Sequence, residues 1–508
     1  MIDFSSPSDA AGWLQQRISG TLQSDSRKLR VGDGFIAWPG AASDARQHVA
    51  SALVHGAAAC LVERLGVEPY AFNDPRVATY TGLKAASGPV AAAYFNHPSQ
   101  HLKLLAVTGT NGKTSSVWWL AQALSNLKQS APMPCAMVGT LGVGRPPIVQ
   151  STGLTTPDPV LLQRSLRDFV DAGVLACAIE ASSIGLAESR LQGCQIHSAL
   201  FTNFTQDHLD YHGSMEAYWQ AKKELFAWPG LRAAVVNIDD PKGLELLATL
   251  DANALDVWSV SCAAPARLQA CDISHESHGL RFTVRERAAE GASEGHLMQT
   301  GLIGLYNVSN LLGVLATMRS IGVPLAAAVL ACAELTPVPG RMEFAGEPGQ
   351  TLVAVDYAHT PDALTQALQA LRPVSRQRGG QLWCVFGCGG DRDATKRPLM
   401  GAVAARYADQ VVLTSDNPRN EKPEAIISQI LLGLTGQRPL FVEADRALAI
   451  AQTLAQARPD DVVLLAGKGH EDYQDVAGGR LAFSDLEQVR RLQRQQLVQR
   501  AAGEAMHG

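Results

Sequence analysis

The sequence lacks the marks of a membrane, secreted or metal-ribbon protein. No apolar run reaches the roughly 20 residues that a membrane-spanning helix needs. The opening MIDFSSPSDAAGW has no basic segment followed by an apolar one, so no signal peptide is expected. The nine cysteines are dispersed without a CxxC pair, which argues for reduced thiols in a cytoplasmic protein and against a zinc ribbon. We interpret Cys384 and Cys388, in an apolar strand and a glycine turn, as packing residues.

An excess of positive charge is also lacking. The formal net charge is -5, so a nucleic-acid partner is not expected. Hydrophobic content of 46% and charged content of 18% are typical of a soluble globular protein. The 508 residues exceed one ordinary core, which predicts two to four domains. We expect a monomer that does not insert into a membrane.

One stretch, residues 103–127, predicts a phosphate-binding loop. A short apolar strand at 104–107 runs into a glycine-rich turn, TGTNGKT, and then into a segment with helical spacing. Backbone N–H groups of the turn and of the helix N-terminus favour a bound anion. Lys113 is expected to reach the outer phosphates of a nucleotide, and the Thr114 hydroxyl to hold Mg²⁺.

The order of apolar patterns predicts an α/β fold of three domains, at 1–98, 99–336 and 337–508. In the first, a helix near Pro89–Asn96 is predicted, with Pro89 at its first position. The second is the phosphate-loop domain, in which alternating strands and helices predict a mostly parallel sheet, with a β-rich excursion over 257–300. The third follows a Pro-Val-Pro-Gly linker and predicts a doubly wound, Rossmann-like sheet.

Every predicted strand of the third domain ends in a polar motif, namely DYAHTPD, GCGGDRD, SDNPR or GKGHED. Ligands of open α/β sheets bind beyond the carboxyl ends of the strands, so these motifs predict one shared site. Arg392 and Arg419 suit a carboxylate, and Asp416 and Glu471 suit an ammonium group. The implied ligand carries both charges, as an amino acid does.

In the second domain, Glu180 ends a strand and His208 lies in FTNFTQDHLDYHG. Mg²⁺ is usually held by few protein oxygens together with water and phosphates, which Thr114 and Glu180 fit. His208 is a less usual Mg²⁺ ligand, and the alternative interpretation is a structural histidine that caps the turn. A zinc site is the weaker hypothesis, because no cysteine or HExxH motif accompanies these histidines.

Other polar residues leave two interpretations open. Lys222 and its neighbour lie on a predicted helix, where lysines are ordinarily solvated. Asn307 and Asn310 in YNVSN are interpreted as helix caps. Arg341, after the linker, is either a surface charge or a phosphate contact brought in by domain closure.

Taken together, the motifs resemble those of the Mur ligases of peptidoglycan synthesis. They are TGTNGKT, TTPD, EASS.GL, TNFTQDHLDYHG, AK at 221–222, YNVSN, PGRME, DYAHTPDAL, FGCGGDRD..KRP, DNPR and GKGHEDYQ. The resemblance is specific over 99–485 and looser over 1–98, and DNPR resembles the signature of the diaminopimelate-adding members.

The resemblance implies a reaction and its participants. ATP, with Mg²⁺, phosphorylates the D-glutamyl side-chain carboxylate of UDP-N-acetylmuramoyl-L-alanyl-D-glutamate. The amine of meso-2,6-diaminopimelate then attacks the acyl phosphate, and an amide forms.

The resemblance also implies site residues, matched motif by motif. The residues implied for ATP are Gly109, Thr110, Asn111, Gly112, Lys113, Thr114, Asn307, Arg341 and Asp356. Those implied for the UDP-muramoyl peptide are Ser26, Thr155, Thr156, Ser182, Glu188 and Arg190. Those implied for diaminopimelate are Arg392, Asp416, Asn417, Pro418, Arg419, Gly467 and Glu471. The implied catalytic set is Lys113, Glu180, His208 and Lys222, with Thr114, Glu180, His208 and a carbamate of Lys222 at the metal.

Three positions depart from the family pattern. Ile184 stands where a histidine is frequent, Glu188 replaces a glutamine near the substrate, and Ser24 replaces a leucine in the uridine region. These departures concern contacts to the nucleotide sugar rather than the reaction.

Three other functions compete with this one. Folylpolyglutamate synthase shares the ATP loop but needs neither the first domain nor DNPR. A lysine-adding Mur ligase would lack Arg419 in this context. A non-catalytic nucleotide-binding regulator is disfavoured because Lys113, Glu180, His208 and Lys222 are all intact.

Overall fold

The computed structural model describes residues 1–40, 43–128, 132–276, 279–287, 293–346, 349–436 and 438–505. Within these ranges the chain is an α/β protein built on three sheets and one separate hairpin. Each of the three sheets carries a hydrophobic cluster on both faces. No helix in the described ranges is both long enough and apolar enough to cross a membrane.

The first sheet has five parallel strands in the order β1-β5-β4-β3-β2. The strands are β1 Ile2–Phe4, β2 Leu22–Gln23, β3 Gly34–Ala37, β4 Ala59–Glu63 and β5 Val77–Tyr80. The α-helices are α1 Pro7–Gln15, α2 Val49–Val54 and α3 Leu83–Tyr94, with 3-10 helices at Ser26–Lys28, Ala45–His48, Glu68–Tyr70 and Pro98–His101.

The predicted start of the helix at Pro89 is wrong, because α3 begins six residues earlier, at Leu83. Leu83 and Val90 are both buried in the core of the first sheet, so burial along the whole segment fixes the helix. Pro89 sits inside the helix, where a proline removes one backbone hydrogen bond and is ordinarily costly.

The central sheet has eleven strands in the order β16-β15-β14-β13-β12-β11-β6-β10-β7-β8-β9. The strands are β6 Lys103–Thr108, β7 Cys135–Gly139, β8 Gly142–Arg145, β9 Ile148–Gln150, β10 Ala176–Glu180, β11 Ser198–Phe201, β12 Ala233–Asn237, β13 Asp256–Ser261, β14 Leu268–Glu276, β15 Gly279–Arg287 and β16 Ser293–Thr300. The α-helices are α4 Lys113–Ser125, α5 Pro159–Asp171, α6 Ser183–Ala187, α7 Leu209–His212, α8 Met215–Lys223, α9 Pro241–Leu247, α10 Leu305–Ser320 and α11 Leu325–Ala333, with a 3-10 helix at Glu224–Ala227.

Strand β6 lies at the middle of this sheet, paired in parallel with β10 and β11. Leu105 and Val107 pack into the cluster on one face, and Leu104 and Ala106 pack into the cluster on the other. A strand covered on both faces is apolar at every position, which explains the continuous run in the sequence. The predicted β-rich excursion is confirmed, since β14, β15 and β16 form antiparallel pairs at the edge of the sheet.

The third sheet has six strands in the order β17-β18-β22-β19-β20-β21, parallel except for β17. The strands are β17 Glu343–Ala345, β18 Leu352–Asp356, β19 Leu382–Phe386, β20 Gln410–Leu413, β21 Phe441–Val442 and β22 Val462–Ala466, followed by the hairpin β23 Tyr473–Val476 and β24 Gly479–Ala482. The helices are α12 Pro361–Arg378, α13 Lys396–Tyr407, α14 Pro423–Leu431, α15 Arg446–Gln456 and α16 Asp485–Ala505.

The four strands predicted for this unit are confirmed, whereas β17, β21 and the hairpin were not predicted. Cys384 and Cys388 lie in the core of the third sheet, which confirms their interpretation as packing residues. All nine cysteines carry free thiols. The domain boundaries at residues 98 and 336 stay predictions.

Candidate active site

One cleft of about 1290 Å³ joins the loops at the carboxyl ends of the central and third sheets. Most of the predicted site residues line it: Thr110, Asn111, Gly112, Lys113, Thr114, Thr155, Thr156, Glu180, Ser182, Arg190, His208, Asn307, Arg341, Asp356, Arg392, Asp416, Asn417, Arg419, Gly467 and Glu471. Five predicted residues do not line it: Ser26, Gly109, Glu188, Lys222 and Pro418.

The phosphate loop is held in shape by contacts that only glycine permits. Gly109 and Gly112 have φ values of 147° and 84°, in the region that favours glycine. A Cβ at Gly109 would lie 1.9 Å from Thr202 Oγ1, and one at Gly112 would lie 2.3 Å from Asn310 Oδ1. The loop is therefore pressed between the end of β11 and helix α10, with its N–H groups at the start of α4.

Lys113 lies at the first position of α4 and folds back over this loop. Its Nζ donates to Gly109 O at 2.9 Å and to Thr110 O at 2.7 Å. Burial lowers the pKa of the amine, and the nearby Glu180 carboxylate opposes that shift. The ammonium is thus positioned at the anion-binding turn, as the motif predicts.

Glu180 is fully buried at the end of β10, beside the loop. Its Oε2 accepts from Thr114 Oγ1 at 3.1 Å and from Thr140 Oγ1 at 3.2 Å, and its Oε1 accepts from Thr140 N at 2.8 Å. Among the described residues, no lysine, arginine or histidine nitrogen lies within 4 Å of this carboxylate. Glu180 and Thr114 therefore offer an anionic oxygen and a hydroxyl at one point of the cleft.

His208 lies on a turn with φ of 53°, next to a charged cluster that bridges the second and third units. Asp207 Oδ2 is 3.4 Å from His208 Nε2 and 3.6 Å from His359 Nε2, and Asp207 Oδ1 is 3.9 Å from Lys396 Nζ. Burial lowers the pKa of His208 to about 4, so the imidazole is neutral at neutral pH and retains a lone pair. His359 and Lys396 were not predicted from the sequence, because their roles depend on contacts between units.

Two further observations bear on the histidine-rich motif. His212 Nε2 lies 3.0 Å from Ser183 Oγ, so this histidine is engaged away from His208. The described residues contain no group of three histidine, cysteine, aspartate or glutamate side chains arranged to hold a metal.

Lys222 is buried, which its helical position did not predict. Its Nζ donates to Gly109 O at 2.8 Å and lies 4.4 Å from the Tyr218 ring. Burial and the charge of Lys113 hold the pKa of Lys222 well below its ordinary value. The amine thus lies directly beneath the phosphate loop.

Asn307 and Asn310 are not helix caps, contrary to their interpretation from the sequence. Helix α10 begins at Leu305 after Gly304, and no side chain caps it. Asn307 Nδ2 donates to Ile303 O at 2.7 Å, and Asn310 Nδ2 is 3.4 Å from Asn307 Oδ1. Both asparagines are buried where α10 meets the phosphate loop, so tertiary packing rather than the helix terminus explains them.

Arg341 reaches from the linker to the phosphate loop. Its Nη2 donates to Thr114 Oγ1 at 3.2 Å, and its guanidinium lies 4.4 Å over the Tyr357 ring. Asp356 accepts from Met342 N at 2.7 Å, which fixes the linker at the end of β18. Of the two interpretations left open for Arg341, the structure supports a cleft residue over a surface charge.

Most residues predicted for the UDP-muramoyl peptide share one network at the start of α5 and α6. Thr156 Oγ1 donates to Glu180 O at 2.7 Å and is 2.9 Å from Ser182 Oγ, while Arg190 Nη1 donates to Thr156 O at 2.8 Å. Thr155 Oγ1 lies 3.1 Å from Thr140 Oγ1. This network connects the part of the cleft near α5 and α6 to the buried carboxylate of Glu180.

The departures at Glu188 and Ser24 both have partners. Lys84 of the first unit pairs with Glu188 at 2.7 Å, and this contact, with a hydrogen bond from Tyr211, lowers the pKa of the carboxyl. Ser24 Oγ donates at 2.7 Å to Asp158, the N-cap of α5. Both contacts join the first unit to the central one.

The side of the cleft predicted to bind an amino acid is assembled from the loops after β19, β20 and β22. A Cβ at Gly467 would lie 2.3 Å from Asp416 Oδ2, so only glycine permits this approach. A Cβ at Gly389 would lie 3.0 Å from Arg419 Nη1 and 3.6 Å from Arg392 Cγ, so the two arginines flank that glycine. Carboxylate and guanidinium groups therefore line the same cleft, as the motifs predict.

Lys468, which was not predicted from the sequence, lies behind the cleft lining and holds two residues that do line it. It is fully buried, and its Nζ donates to Asn417 Oδ1 at 3.0 Å and to Glu471 Oε2 at 2.8 Å. Asn417 Nδ2 also donates to Glu471 Oε2 at 2.8 Å. The sequence signal for Lys468 is its place inside the GKGHED motif. That position does not indicate whether the side chain is buried.

Comparisons with known proteins give similarity over most of the chain. The Mur ligase middle domain model matches residues 107–318, and the model described as Mur ligase, glutamate ligase domain matches residues 340–469. A UDP-N-acetylmuramoyl-L-alanyl-D-glutamate--2,6-diaminopimelate ligase from Acidovorax sp. (strain JS42) is 64% identical, over 95% of this chain and 96% of that protein. A protein of the same name from Janthinobacterium sp. (strain Marseille) is 47% identical, over 92% of each chain. A solved structure of a ligase with this name has a TM-score of 0.62 at 36% identity, covering 94% of this chain and 95% of that one.

Proposed function

Because the chain belongs to the Mur ligase family, we propose that it joins meso-2,6-diaminopimelate to UDP-N-acetylmuramoyl-L-alanyl-D-glutamate at the expense of ATP. It is an ATP-dependent ligase of peptidoglycan precursor synthesis. One observation carries the substrate assignment: a phosphate loop and a pocket with paired positive and negative side chains open into the same cleft. A nucleotide and a doubly charged amino acid are the ligands that such a cleft accommodates.

The reaction has two steps. The D-glutamyl side-chain carboxylate attacks the γ-phosphorus of ATP, and the bond to the ADP oxygen breaks. The amine of diaminopimelate then attacks the acyl carbon, phosphate leaves with the electron pair of its C–O bond, and the amine loses a proton. An acyl phosphate hydrolyses readily, so the cleft must keep water away from it.

The residues of the phosphate loop stabilise the phosphates during transfer. Lys113 supplies positive charge at the turn, and the N-terminus of α4 supplies N–H donors. Arg341 reaches the same point from the linker, which supports a role in holding the nucleotide once the second and third units close on it.

The residues beside the loop suit Mg²⁺. Glu180 provides a buried carboxylate with no cation within 4 Å in the described chain, and Thr114 provides a hydroxyl beside it. We assign both, with the neutral imidazole of His208, as the protein ligands. When bound, the ion supplies charge that offsets the phosphate oxygens.

Lys222 is assigned as a lysine modified to a carbamate. Its amine is buried under the phosphate loop, and among the described residues no carboxylate lies within 4 Å of it. A carbamate would convert this amine into an anionic oxygen ligand and would offset the charge of Lys113. The observation that supports this assignment is the burial of the Lys222 side chain, because an ordinary surface lysine on α8 would be exposed.

Arg419 is assigned as the residue that selects diaminopimelate over lysine. The two amino acids differ by one carboxylate, and a guanidinium placed to receive it lacks that partner and is partly desolvated when lysine binds. A buried polar group deprived of its partner discriminates strongly between ligands. The pocket that receives the amino acid also includes Arg392, Asn417 and Glu471.

The first unit, residues 1–98, is assigned to the UDP end of the acceptor substrate. Lys84 and Ser24 already connect it to the central unit near Thr156 and Arg190. Ser26, in a 3-10 helix of this unit, and Glu188 lie outside the cleft lining, so their assignment rests on the resemblance alone. A cytoplasmic location follows from where a UDP-linked precursor and ATP are both found.

Phosphate release from ATP tests the proposal. The purified chain, supplied with UDP-N-acetylmuramoyl-L-alanyl-D-glutamate, is compared with meso-2,6-diaminopimelate and with L-lysine as the amine. Release with diaminopimelate alone is expected. Release with lysine at a similar rate contradicts the selection by Arg419, and release with neither contradicts the function.

Two variants connect the assay to the site. Lys113→Ala should abolish release, because it removes the ammonium at the phosphate loop; near-normal turnover would contradict that role. Arg419→Lys should lower the preference for diaminopimelate, since an ammonium lacks the fork that binds a carboxylate at two points. Exposed Lys422→Met is the matched control for a lost charge.

A further inference from the structure

A hairpin that follows the GKGHED loop forms one wall of the amino-acid pocket. Its strands, β23 and β24, pair antiparallel, with Asp475 opposite Arg480. Tyr473, Asp475 and Arg480 all line the cleft. The glutamate ligase domain model ends at residue 469, so the hairpin lies beyond the segment that this model matches.

The backbone of Arg419 is tied to this hairpin. Its N–H donates to Asp475 O at 2.9 Å, and Arg419 forms an isolated parallel bridge with Val476. Arg419 has φ of 51°, in the left-handed region that side-chain-bearing residues rarely adopt. Such a conformation persists only where the surroundings hold it, and the hydrogen bond to the hairpin is one contact that does so.

The side chain of Arg419 is tied to the hairpin as well. Asp475 Oδ2 lies 3.6 Å from Arg419 Nε, and Arg419 Nη1 donates to Gly390 O at 2.8 Å. Within the described part of the chain, Arg419 Nη2 has no hydrogen-bond acceptor. Two nitrogens of the guanidinium are therefore anchored to protein, and the third remains for a carboxylate in the cleft.

We propose that Asp475 is the positioning residue for Arg419, and that the hairpin thereby sets which amino acid the pocket prefers. This inference rests on the proposed function. Asp475 does not receive the ligand carboxylate, which carries the same charge. It restricts the rotamers of a long side chain before the ligand arrives, so less conformational entropy is lost on binding.

Asp475→Asn tests the inference because it retains the size of the side chain and removes its charge. We expect the ratio of kcat/KM for meso-diaminopimelate to kcat/KM for L-lysine to fall roughly fivefold, the effect of losing one partly exposed ion-pair partner. The change should lie in the KM for diaminopimelate, with the KM for ATP unaltered. Asp475→Glu should restore part of the ratio. Exposed Asp460→Asn, in the same unit, is the control.

A double-variant cycle separates positioning from direct contact. In an Arg419→Ala background, Asp475→Asn should change the ratio no further, because the residue through which it acts is gone. An active Asp475→Asn enzyme with an unaltered ratio overturns the inference, and so does a further decrease in the double variant. A wild-type chain that releases no phosphate with diaminopimelate overturns the proposed function, and this inference falls with it.

Discussion

The buried ion pair of Arg446 and Asp485 determines how firmly the floor of the amino-acid pocket is held. Both side chains are fully shielded from solvent, and they meet through two hydrogen bonds of 2.7 Å. The guanidinium also donates to Ser415 O at 3.2 Å and to Ala466 O at 3.1 Å. These carbonyls directly precede the DNPR and GKGHED loops, so one arginine ties both loops to the first turn of α16.

Arg446→Met removes all four hydrogen bonds and leaves the Asp485 carboxylate buried without a cation. Breaking a buried pair from one side costs about 3–5 kcal/mol, because the remaining charge is uncompensated. Each 1.4 kcal/mol corresponds to tenfold in an opening equilibrium, so amide exchange in β22 should accelerate roughly 10²- to 10⁴-fold. The KM for diaminopimelate should rise as the two loops loosen.

Hydrogen exchange measured by mass spectrometry on the full chain gives the local free energy. The control is Arg446→Met combined with Asp485→Asn, which removes both charges. We expect the double variant to recover much of the lost protection, since no unpaired charge remains. Wild-type exchange rates in the single variant would refute the reasoning. Equal rates in the single and double variants would mean that the loss of amide protection arises from packing and not from the unpaired charge.

Three further predictions address other charged side chains. Lys222→Ala should lose phosphate release and regain part of it with small carboxylic acids; full activity without them would make Lys222 a structural lysine. Lys468→Met should raise the KM for diaminopimelate roughly tenfold or more, because it frees the carboxylate and amide that the ammonium holds; the control is Lys422→Met, and an equal rise in the KM for ATP would contradict this. The Arg397 guanidinium hydrogen-bonds to Glu421 and lowers the pKa of that carboxyl from 4.5 to about 2. The ionised carboxylate therefore stabilises the fold above about pH 4.5, and the stabilisation is lost as the pH falls toward 2. Glu421→Gln should make the urea concentration at the unfolding midpoint depend less on pH over this window. A pH dependence equal to that of the wild type would contradict the pairing.

The strands that position the site follow from local chemistry. A buried parallel strand is apolar on both faces, so four of the six strands of the third sheet, and β6, were recognisable as short continuous runs. The phosphate loop was recognisable because glycine, lysine and threonine at a strand–helix junction have few other uses. The carboxyl ends of parallel strands share one edge, so the sequence alone predicted that four polar motifs lie together.

The residues whose roles depend on distant contacts were not predictable in this way. Helical spacing places Lys222 on a surface, yet the carbonyl of Gly109, 113 positions away, lies over its amine. Asn307 and Asn310 have the chemistry of caps, but α10 packs against the phosphate loop and buries them. The hairpin after residue 472 is short and polar, and its importance arises from its contact with Arg419.

The charges of the amino-acid pocket provide a reason for selectivity beyond any single contact. The pocket is lined by cations, among them Arg392, Arg419 and Arg480, and by anions, among them Asp416, Glu471 and Asp475. Diaminopimelate has two carboxylates and two ammonium groups, so it adds no net charge, whereas lysine adds one positive charge. In a partly buried site such an excess is screened weakly, and its cost increases as water is excluded. Closure of the cleft should therefore increase the preference for diaminopimelate, because the step that protects the acyl phosphate also makes the unpaired charge of lysine more costly.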